Sequence, residues 1–580
     1  MIFCDANDPN SLNQQQGHPL SSQAKVLLTS VFGPYAQDDD YGSRTINPME
    51  LYHNQVTRVQ GVFSLRMFHR SCGLMMIQAN ITAPCTLLDY PTLDRFIQEL
   101  HEKPYDIIGI SAIQPNIKKV EKMCAVIREH QPDTTIVVGG HIANMANLDA
   151  RIDADYVVRG EGIRWFRKFL GVDQGRPINH PHIPSAIKPR CMGINLKTNN
   201  RDTAAVLIPS VGCPIGCNFC STSHMFGGKG KFFNFYETGD ELFDIMCQLE
   251  REMRIRSFFV MDENFLLHRK RALRLLELMQ QHEKSWSLYV FSSANVLKSY
   301  TMEQMVGLGI SWVWIGLEGK KSRYEKLKDI DTQSLIRELQ ANGIRVLGSS
   351  IIGLEDHTPE NIDEVIEWAL SHNMELHQFM LYTPPQGTTL HAELERKGLL
   401  LGEDEMETAD IHGQWRFNYR HPHIGAGQET GFLLRAFQRD FDINGPSVIR
   451  MMRTLMNGWM KYKDHPEPRI RERFTIEVGT MPTLCAGAIW ATRRWFKSNP
   501  TFVRWMTDLL ENIYHEFGIR SRLAAPVLGR IVFYLLLKEE KRLSANHTYE
   551  PPTFYETSIK AVKPNNRAAR SPGQRPLALS

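Results

Sequence analysis

Three cysteines within eight residues constrain this chain more than any other feature. The stretch Val211-Gly-Cys-Pro-Ile-Gly-Cys-Asn-Phe-Cys220 sets Cys213, Cys217 and Cys220 in a C-x3-C-x2-C spacing, directly after the apolar run Ala205-Val-Leu-Ile-Pro209. The triplet therefore lies where a strand gives way to a loop. Three thiolates this close can hold one polynuclear site, and a [4Fe–4S] cluster with three protein thiolates keeps one iron open to a small-molecule ligand. His224, four residues beyond Cys220, offers a competing arrangement, a zinc site of three cysteines and one histidine. Spacing alone leaves both open. Order along the chain favours the cluster, because repeated strand–helix units follow the triplet, whereas a zinc module is more often small and self-contained.

A chain of 580 residues is too long for one ordinary core, so two or three domains are expected. Apolar residues at 42% and charged residues at 23% are those of a soluble globular protein. The balance of 67 basic against 64 acidic residues supports no argument for a nucleic-acid partner. No run is long and apolar enough to span a bilayer, and Met1-Ile-Phe-Cys-Asp-Ala lacks the basic start and apolar core of a signal peptide, so a cytoplasmic protein is expected. Apart from the triplet the ten cysteines are scattered, which suits a reducing compartment rather than a disulfide framework.

Residues 1–24, rich in Asn, Gln, Ser and Pro, read as a loose leader. Over 25–165, strands are expected at Lys25–Ser30, Gly73–Ile81, Tyr105–Ser111 and Thr134–His141, with helices at Leu93–His101 and Ile117–His130. That alternation predicts a doubly wound parallel sheet, a Rossmann-like α/β domain. Ligands of such sheets bind beyond the carboxyl ends of the strands. Ser111 and Gln114, then Gly139, Gly140 and His141, then Gly160 and Glu161 stand there. Glycines at these ends let a bulky ligand approach the backbone, although for any single one a tight turn is the better explanation. Residues 166–203, with Pro177, Pro181, Pro184 and Pro189 and the polar stretch Lys197–Asp202, read as a connection.

From 204 to 395, strands and helices alternate at a steady pace, and six βα units predict a partial (β/α)6 barrel with one functional mouth at the strand carboxyl ends. The mouth collects residue types suited to S-adenosylmethionine (SAM). Phe219 offers an aromatic face for adenine. Asp262, Glu263 and Asn264 can pair with an ammonium, and Ser293, Asn295, Gly316 and Glu318 can meet ribose hydroxyls. Residues 396–543 read as mainly helical, with Met451, Trp459, Trp490, Trp505 and the run Ile531–Leu537 forming a cap over the barrel, or else an apolar substrate channel or lipid contact. The Pro-rich segment 544–580 is expected to be disordered.

The strand ends Asp106-Ile-Ile-Gly-Ile-Ser111 and Val137-Val-Gly-Gly-His141, ahead of a C-x3-C-x2-C, resemble the cobalamin-binding domain of cobalamin-dependent radical SAM enzymes. Residues 204–395 resemble the radical SAM core. Cys213, Cys217 and Cys220 match the cluster triplet, with Phe219 in the usual aromatic slot. Asp262-Glu-Asn264 stands where the family contacts the SAM amino group, without a Gly-Gly-Glu. Val346–Gly353 resembles the fifth-strand glycine motif with Ser349 at a common glycine position, and Leu381–Thr388 the sixth-strand Pro-Gly-Thr segment. The D-x-H-x-x-G motif that supplies a cobalt ligand elsewhere is absent, since Asp38-Asp-Asp-Tyr-Gly42 has no histidine in register.

The resemblance implies three cofactors: a [4Fe–4S] cluster, SAM and cobalamin. It also implies reductive SAM cleavage to a 5′-deoxyadenosyl radical, and methyl transfer from methylcobalamin to an unactivated carbon. Cyclisation or ring rearrangement with the same cofactors is the alternative chemistry, and a cobalamin- or zinc-binding sensor the non-enzymatic one. A small-molecule substrate is expected, hydrophobic or lipid-like on the strength of the apolar C-terminal segment, together with an electron donor such as flavodoxin or ferredoxin. No side chain needs to act as nucleophile, and His224, His268, His357 and His377 are expected to be structural or substrate-facing.

Overall fold

The computed structural model describes residues 1–8, 17–33, 41–43, 46, 50–196, 203–320, 324, 327, 329–549 and 552–558. The expectations that fall on loop 34–40, stretch 197–202 and tail 559–580 lie outside the described residues. In chain order the first nine strands are β1 (Ile2–Asp5), β2 (Val26–Ser30), β3 (Arg66–Phe68), β4 (Cys85–Asp89), β5 (Ile107–Ser111), β6 (Thr135–Gly139), β7 (Tyr156–Arg159), β8 (Ile187–Cys191) and β9 (Ile194–Asn195). Strands β10 (Ala204–Leu207), β11 (Ser210–Val211), β12 (Phe233–Asn234), β13 (Ser257–Val260), β14 (Ser287–Ser292), β15 (Ile310–Glu318), β16 (Arg345–Ile352), β17 (Leu376–Leu381) and β18 (Phe554–Ser558) follow.

The first sheet runs β1-β7-β6-β5-β2-β4-β18, parallel throughout except for β18, which pairs antiparallel with β4. Its central strands are buried on both faces, which is why Val26-Leu-Leu and Ile107-Ile-Gly-Ile read as continuous apolar runs. Gly109 keeps the sheet and its helix close: a Cβ there would sit 2.8 Å from Leu28 and 3.2 Å from Phe166. The strand order reverses beside β2, and the crevice at such a reversal is where ligands of these sheets sit.

Four expectations are corrected. Gly73–Ile81 is not a strand: residues 73–80 lie in the helix Cys72–Asn80, and β2 is flanked by β4 and β5 instead. The run Leu74-Met-Met-Ile-Gln-Ala is rich in strong helix formers, and a short buried apolar run has no period that separates helix from strand. The leader is not loose throughout, because β1 adds to the sheet edge against β7. The connection 166–203 is structured: the helix Gly162–Phe169 enters it, and β8 with β9 forms an antiparallel hairpin that also pairs with β3. In the segment expected to be disordered, β18 forms the other edge of the first sheet, tied by Arg70, which bonds both Asp89 and Glu556.

The second sheet has the consecutive parallel order β10-β13-β14-β15-β16-β17, a partial (β/α)6 barrel. Helices Gly239–Met253 and Met302–Gly307 begin with capping boxes, Thr238 with Glu241 and Thr301 with Gln304, which satisfy orphan amides at each start. The helix Pro468–Glu477 packs against the amino ends of the strands, opposite the mouth. Arg473 donates to the carbonyls of Val306 and Ile310, Arg469 to that of Gly307, and Arg345 pairs with Glu477. Among the described residues, Ile531–Leu537 lines neither of the two cavities described below. Among the described residues no helix is long and apolar enough to cross a membrane.

One buried ion pair anchors that helical layer. Arg450 bonds Asp440 at 2.7 Å and also donates to the Met374 carbonyl and to Ser447. Arg450→Met strands the Asp440 carboxylate in a dry interior, so a loss of about 3–5 kcal/mol is expected in urea unfolding. The double variant Asp440→Asn/Arg450→Met should recover about half of it or more, since no uncompensated charge remains.

Candidate active site

The loop that carries the three cysteines starts at β11 and ends at the short helix Ser221–Met225. Two glycines let it fold back on itself. Gly212 (φ 89°) packs against Phe226 and Phe232, and Gly216 (φ 67°) lies where a Cβ would be 2.6 Å from the Lys229 Cα. Cys213, Cys217 and Cys220 take part in no disulfide among the described residues, and each is partly exposed. Burial pushes Cys213 up to about 11, with the neighbouring Cys220, Glu263 and Cys217 adding to it, and burial raises Cys220 as well. The charged neighbours that act on Cys213 and Cys220 among the described residues are all acidic, and a bound iron–sulfur cluster would offset them, so the chemistry of the donor set fits that group. His224 does not complete a zinc site: its Nδ1 bonds the Cys220 carbonyl at 2.9 Å and its Nε2 bonds Thr389 at 2.9 Å.

The residues expected to contact SAM divide into two groups. Asp262 is committed elsewhere. It accepts from Ser210 at 2.5 Å and from Arg271 at 2.7 Å, and all three are buried. Asn264 is likewise spent, donating to Ser293 and accepting from Ser292, while Ser293 donates to Asn295. Gly316 and Glu318 sit at a bulge that ends β15, with Glu318 buried at φ 54°. Gly353 (φ 90°) faces the Phe417 ring, which a Cβ would meet at 2.3 Å, so its lack of a side chain serves packing rather than a ligand. Glu263 is the exception. Its Oε2 is buried without a partner, and burial, with the charge of Asp262 beside it, pushes its carboxyl up to about 7. Phe219 is held edge-on by Tyr324 at 5.2 Å and Tyr382 at 5.9 Å, and the two phenol oxygens share a hydrogen bond.

The residues expected to contact cobalamin separate in the same way. Ser111, Gly139, Gly140, His141, Gly160 and Glu161 line one cavity of about 520 Å³. Its far wall is apolar (Leu28, Leu74, Val137, Val158, Phe166), and its near wall belongs to the barrel: Thr222, Met225, Phe226, Met261 and Glu263. Such an apolar slot under glycine-bearing strand ends fits a large flat cofactor with an extended arm. Gly160 (φ 98°) lies under Asn7, and Glu161 caps the helix Gly162–Phe169 by accepting from the amides of Ile163 and Arg164. Gln114 does not line this cavity. It donates to the Gln386 carbonyl at 2.8 Å and accepts from the Gln386 amide at 3.0 Å, joining the two halves of the molecule. His141 keeps a buried Nδ1 with no partner, and burial holds it below the usual imidazole range.

Sequence reasoning missed a second cavity of about 260 Å³. It shares His141 with the first and reaches Ser221, next to Cys220. Ser43, Gln55, Gln114, Ile411 and His412 line it. His412 bonds Ser43 through Nε2 at 3.0 Å and accepts from the Gln414 amide through Nδ1, and burial lowers it to about 3. No local motif marks these residues, because they come together only when distant segments pack.

Comparison with known proteins matches residues 61–170 to a B12 binding domain and residues 207–369 to the Radical SAM superfamily. An uncharacterized methyltransferase of Pyrococcus horikoshii is 26% identical over 330 residues, 51% of this chain and 71% of that protein. The bacteriochlorophyllide d C-8(2)-methyltransferase of Chlorobaculum tepidum is 22% identical over 60% of this chain and 80% of its own length. The anaerobic magnesium-protoporphyrin IX monomethyl ester cyclase of Rubrivivax gelatinosus is 25% identical over 50% and 59%. The radical S-adenosylmethionine methyltransferase TsrM of Kitasatospora setae, solved with cobalamin and a [4Fe–4S] cluster bound, aligns with 79% of this chain and 99% of its own at TM-score 0.47 and 14% identity, too loosely to carry residue roles across.

The unpartnered Glu263 has a stability consequence. Its carboxyl titrates higher in the folded protein than in the unfolded chain, so below the ordinary glutamate range it has no effect. As pH rises through that range toward 7 the unfolded chain ionises first and stability falls. Above 7 the full penalty, on the order of 3 kcal/mol, is present. Glu263→Gln should therefore make the ligand-free protein more stable than wild type at pH 8 and equal to it at pH 4, read from urea midpoints at both values.

Proposed function

We infer that this chain is a cobalamin-dependent radical SAM enzyme, working with cobalamin, a [4Fe–4S] cluster and SAM, and that it transfers a methyl group to an unactivated carbon of a small molecule. The observation that carries this reading is the shared cavity, whose walls come from the B12 binding domain on one side and, on the other, from Glu263 and the segments that flank the cysteine loop, Val211 before it and Thr222, Met225 and Phe226 after it. When bound, the cluster with SAM supplies hydrogen-atom abstraction, and cobalamin supplies the methyl group. Methyl transfer is favoured over ring closure because two of the three relatives described above are named methyltransferases and one a cyclase.

The work of the protein in this reading is binding, orientation and exclusion of water. Cys213, Cys217 and Cys220 hold the cluster. Glu263 receives the SAM ammonium, which restores its ionised form and relieves the cost of its burial. Asp262 is a positioning residue: locked to Arg271 and Ser210, it keeps the end of β13 and the start of the cysteine loop in register, so that Glu263 faces the cavity. Phe219, fixed by Tyr324 and Tyr382, offers a ring edge to the adenine. Gly140 (φ 84°) lets the chain turn close against Ala112, whose carbonyl would lie 2.6 Å from a Cβ there, and neutral His141 presents its free Nδ1 to the corrin amides or to a water. The apolar wall excludes water, which protects reactive species. The second cavity, bordered by Ser221 and His141, is the entrance for a substrate with both polar and apolar edges. A one-electron donor of the flavodoxin or ferredoxin class is required.

Anaerobic assay of the reconstituted enzyme with methyl-labelled SAM and a host extract is expected to place label in a new carbon-bound methyl group. A ring-closed product without label would replace methyl transfer by cyclisation. Cys217→Ala is expected to abolish 5′-deoxyadenosine formation, and unchanged formation would refute the cluster assignment. Glu263→Gln should weaken SAM binding by about tenfold or more while leaving iron content unchanged.

A further inference from the structure

The Pro500–Ser544 helix is interrupted at Gly518 (φ 63°, ψ −147°), and the arm beyond it is apolar on two opposite faces. The inner face, Ser521, Ala525, Gly529, Val532 and Leu536, is buried. Gly529 lies so close to the neighbouring helix that a Cβ there would be 2.5 Å from Trp490. The outer face shows Ile519 (75% exposed), Leu523 (64%), Val527 (58%), Ile531 (53%), Tyr534 (65%) and Leu537 (45%). Their spacing of four, four, four, three and three places them along one stripe, about 27 Å long at 1.5 Å per residue. A helix apolar on both faces is ordinarily covered on both.

The charge around the stripe has one sign. Arg520, Arg522, Arg530 and Lys538 are exposed on this arm, and no Asp or Glu occurs from Phe517 to Lys538, the span that holds the stripe. Arg494 lies 5.0 Å from the Phe533 ring centre, and Arg530 5.8 Å from that of Trp490, so these cations rest on aromatic rings along the stripe's margin. We propose that this arm docks the protein onto an anionic lipid bilayer surface, with the stripe sunk at the headgroup–acyl boundary and the arginines and lysines among the lipid phosphates. A long apolar stripe with a cationic margin and no pocket matches an interfacial helix. Tyr534 within the stripe and Trp490 beside it are side chains of the kind that settle at that boundary. A second copy of the same face would bring like charges together. Residues 559–580 are no better as a cover, since they carry Lys560, Lys563, Arg567, Arg570 and Arg575 and no acid.

The test is flotation of the full chain with vesicles of phosphatidylcholine alone and of phosphatidylcholine mixed with phosphatidylglycerol, at low and high salt. Binding is expected to the mixed vesicles, weakened by salt. Val527→Asp/Ile531→Asp and, separately, Arg520→Glu/Arg530→Glu should each weaken it about tenfold or more, with far-ultraviolet circular dichroism unchanged. All four positions are solvent-exposed, so both variants should fold. Absence of binding to the mixed vesicles would overturn the proposal, as would wild-type binding by either variant. Loss of a wild-type dimer in the Val527→Asp/Ile531→Asp variant would assign the stripe to a second copy instead, and capture of an acidic protein in place of vesicles would assign it to that partner.

Discussion

The geometry of the candidate site depends on one buried ion pair. Asp262 lies two residues beyond β13, Arg271 lies in the helix that follows, and Ser210 begins the strand from which the cysteine loop departs. The carboxylate ties three stretches of chain together at the mouth of the barrel. A buried pair of this kind contributes little net stability compared with an apolar substitute, but breaking it is costly, so it specifies a geometry more than it strengthens a fold. Here the specified geometry sets Glu263 against the cysteines, with its carboxylate left for a ligand.

The facing arrangement of the two sheets has an equally local cause. Strand carboxyl ends of both turn toward the same space, and Gln114 reaches from the first half to both backbone groups of Gln386 in the second. Asn7 and Arg159 add bonds to the carbonyls of Met225 and His224, immediately beyond the cysteines. A cofactor over the first sheet and one at the cysteine loop thereby share walls, and any movement of one domain against the other must break amide-to-carbonyl bonds at the edge of the cavity.

Much of the architecture was legible in the chain because buried parallel strands are continuous apolar runs and amphipathic helices carry their own period. The barrel strands and the helix Ile117–His130 were located this way. Legibility failed where the signal was not local. β1 and β18 are edge strands, half solvated and unremarkable in composition. Within the candidate site, residue type suggested contact but could not reveal prior commitments: Asp262 to Arg271, Gln114 to Gln386, Glu161 to a helix start and Gly353 to Phe417. Glu263 became distinctive only once its neighbours were found to be spent. The second cavity, built from segments more than 350 residues apart, Ser43 and His412 among them, leaves no pattern that a sequence window can catch.

The edge strand β18 carries a consequence for how the molecule is made. Strands β2, β4, β5, β6 and β7 emerge from the ribosome early, yet the edge of β4 stays open until residues 554–558 arrive, after the whole barrel and its helical layer have been synthesised. Meanwhile the open edge of the nascent sheet offers unpaired amides and carbonyls to any passing strand. Arg70, poised between Asp89 and the Phe554 ring, holds the place that the late strand will take. A chain cut short after its barrel would therefore keep all three cysteines but leave the β4 edge unpaired.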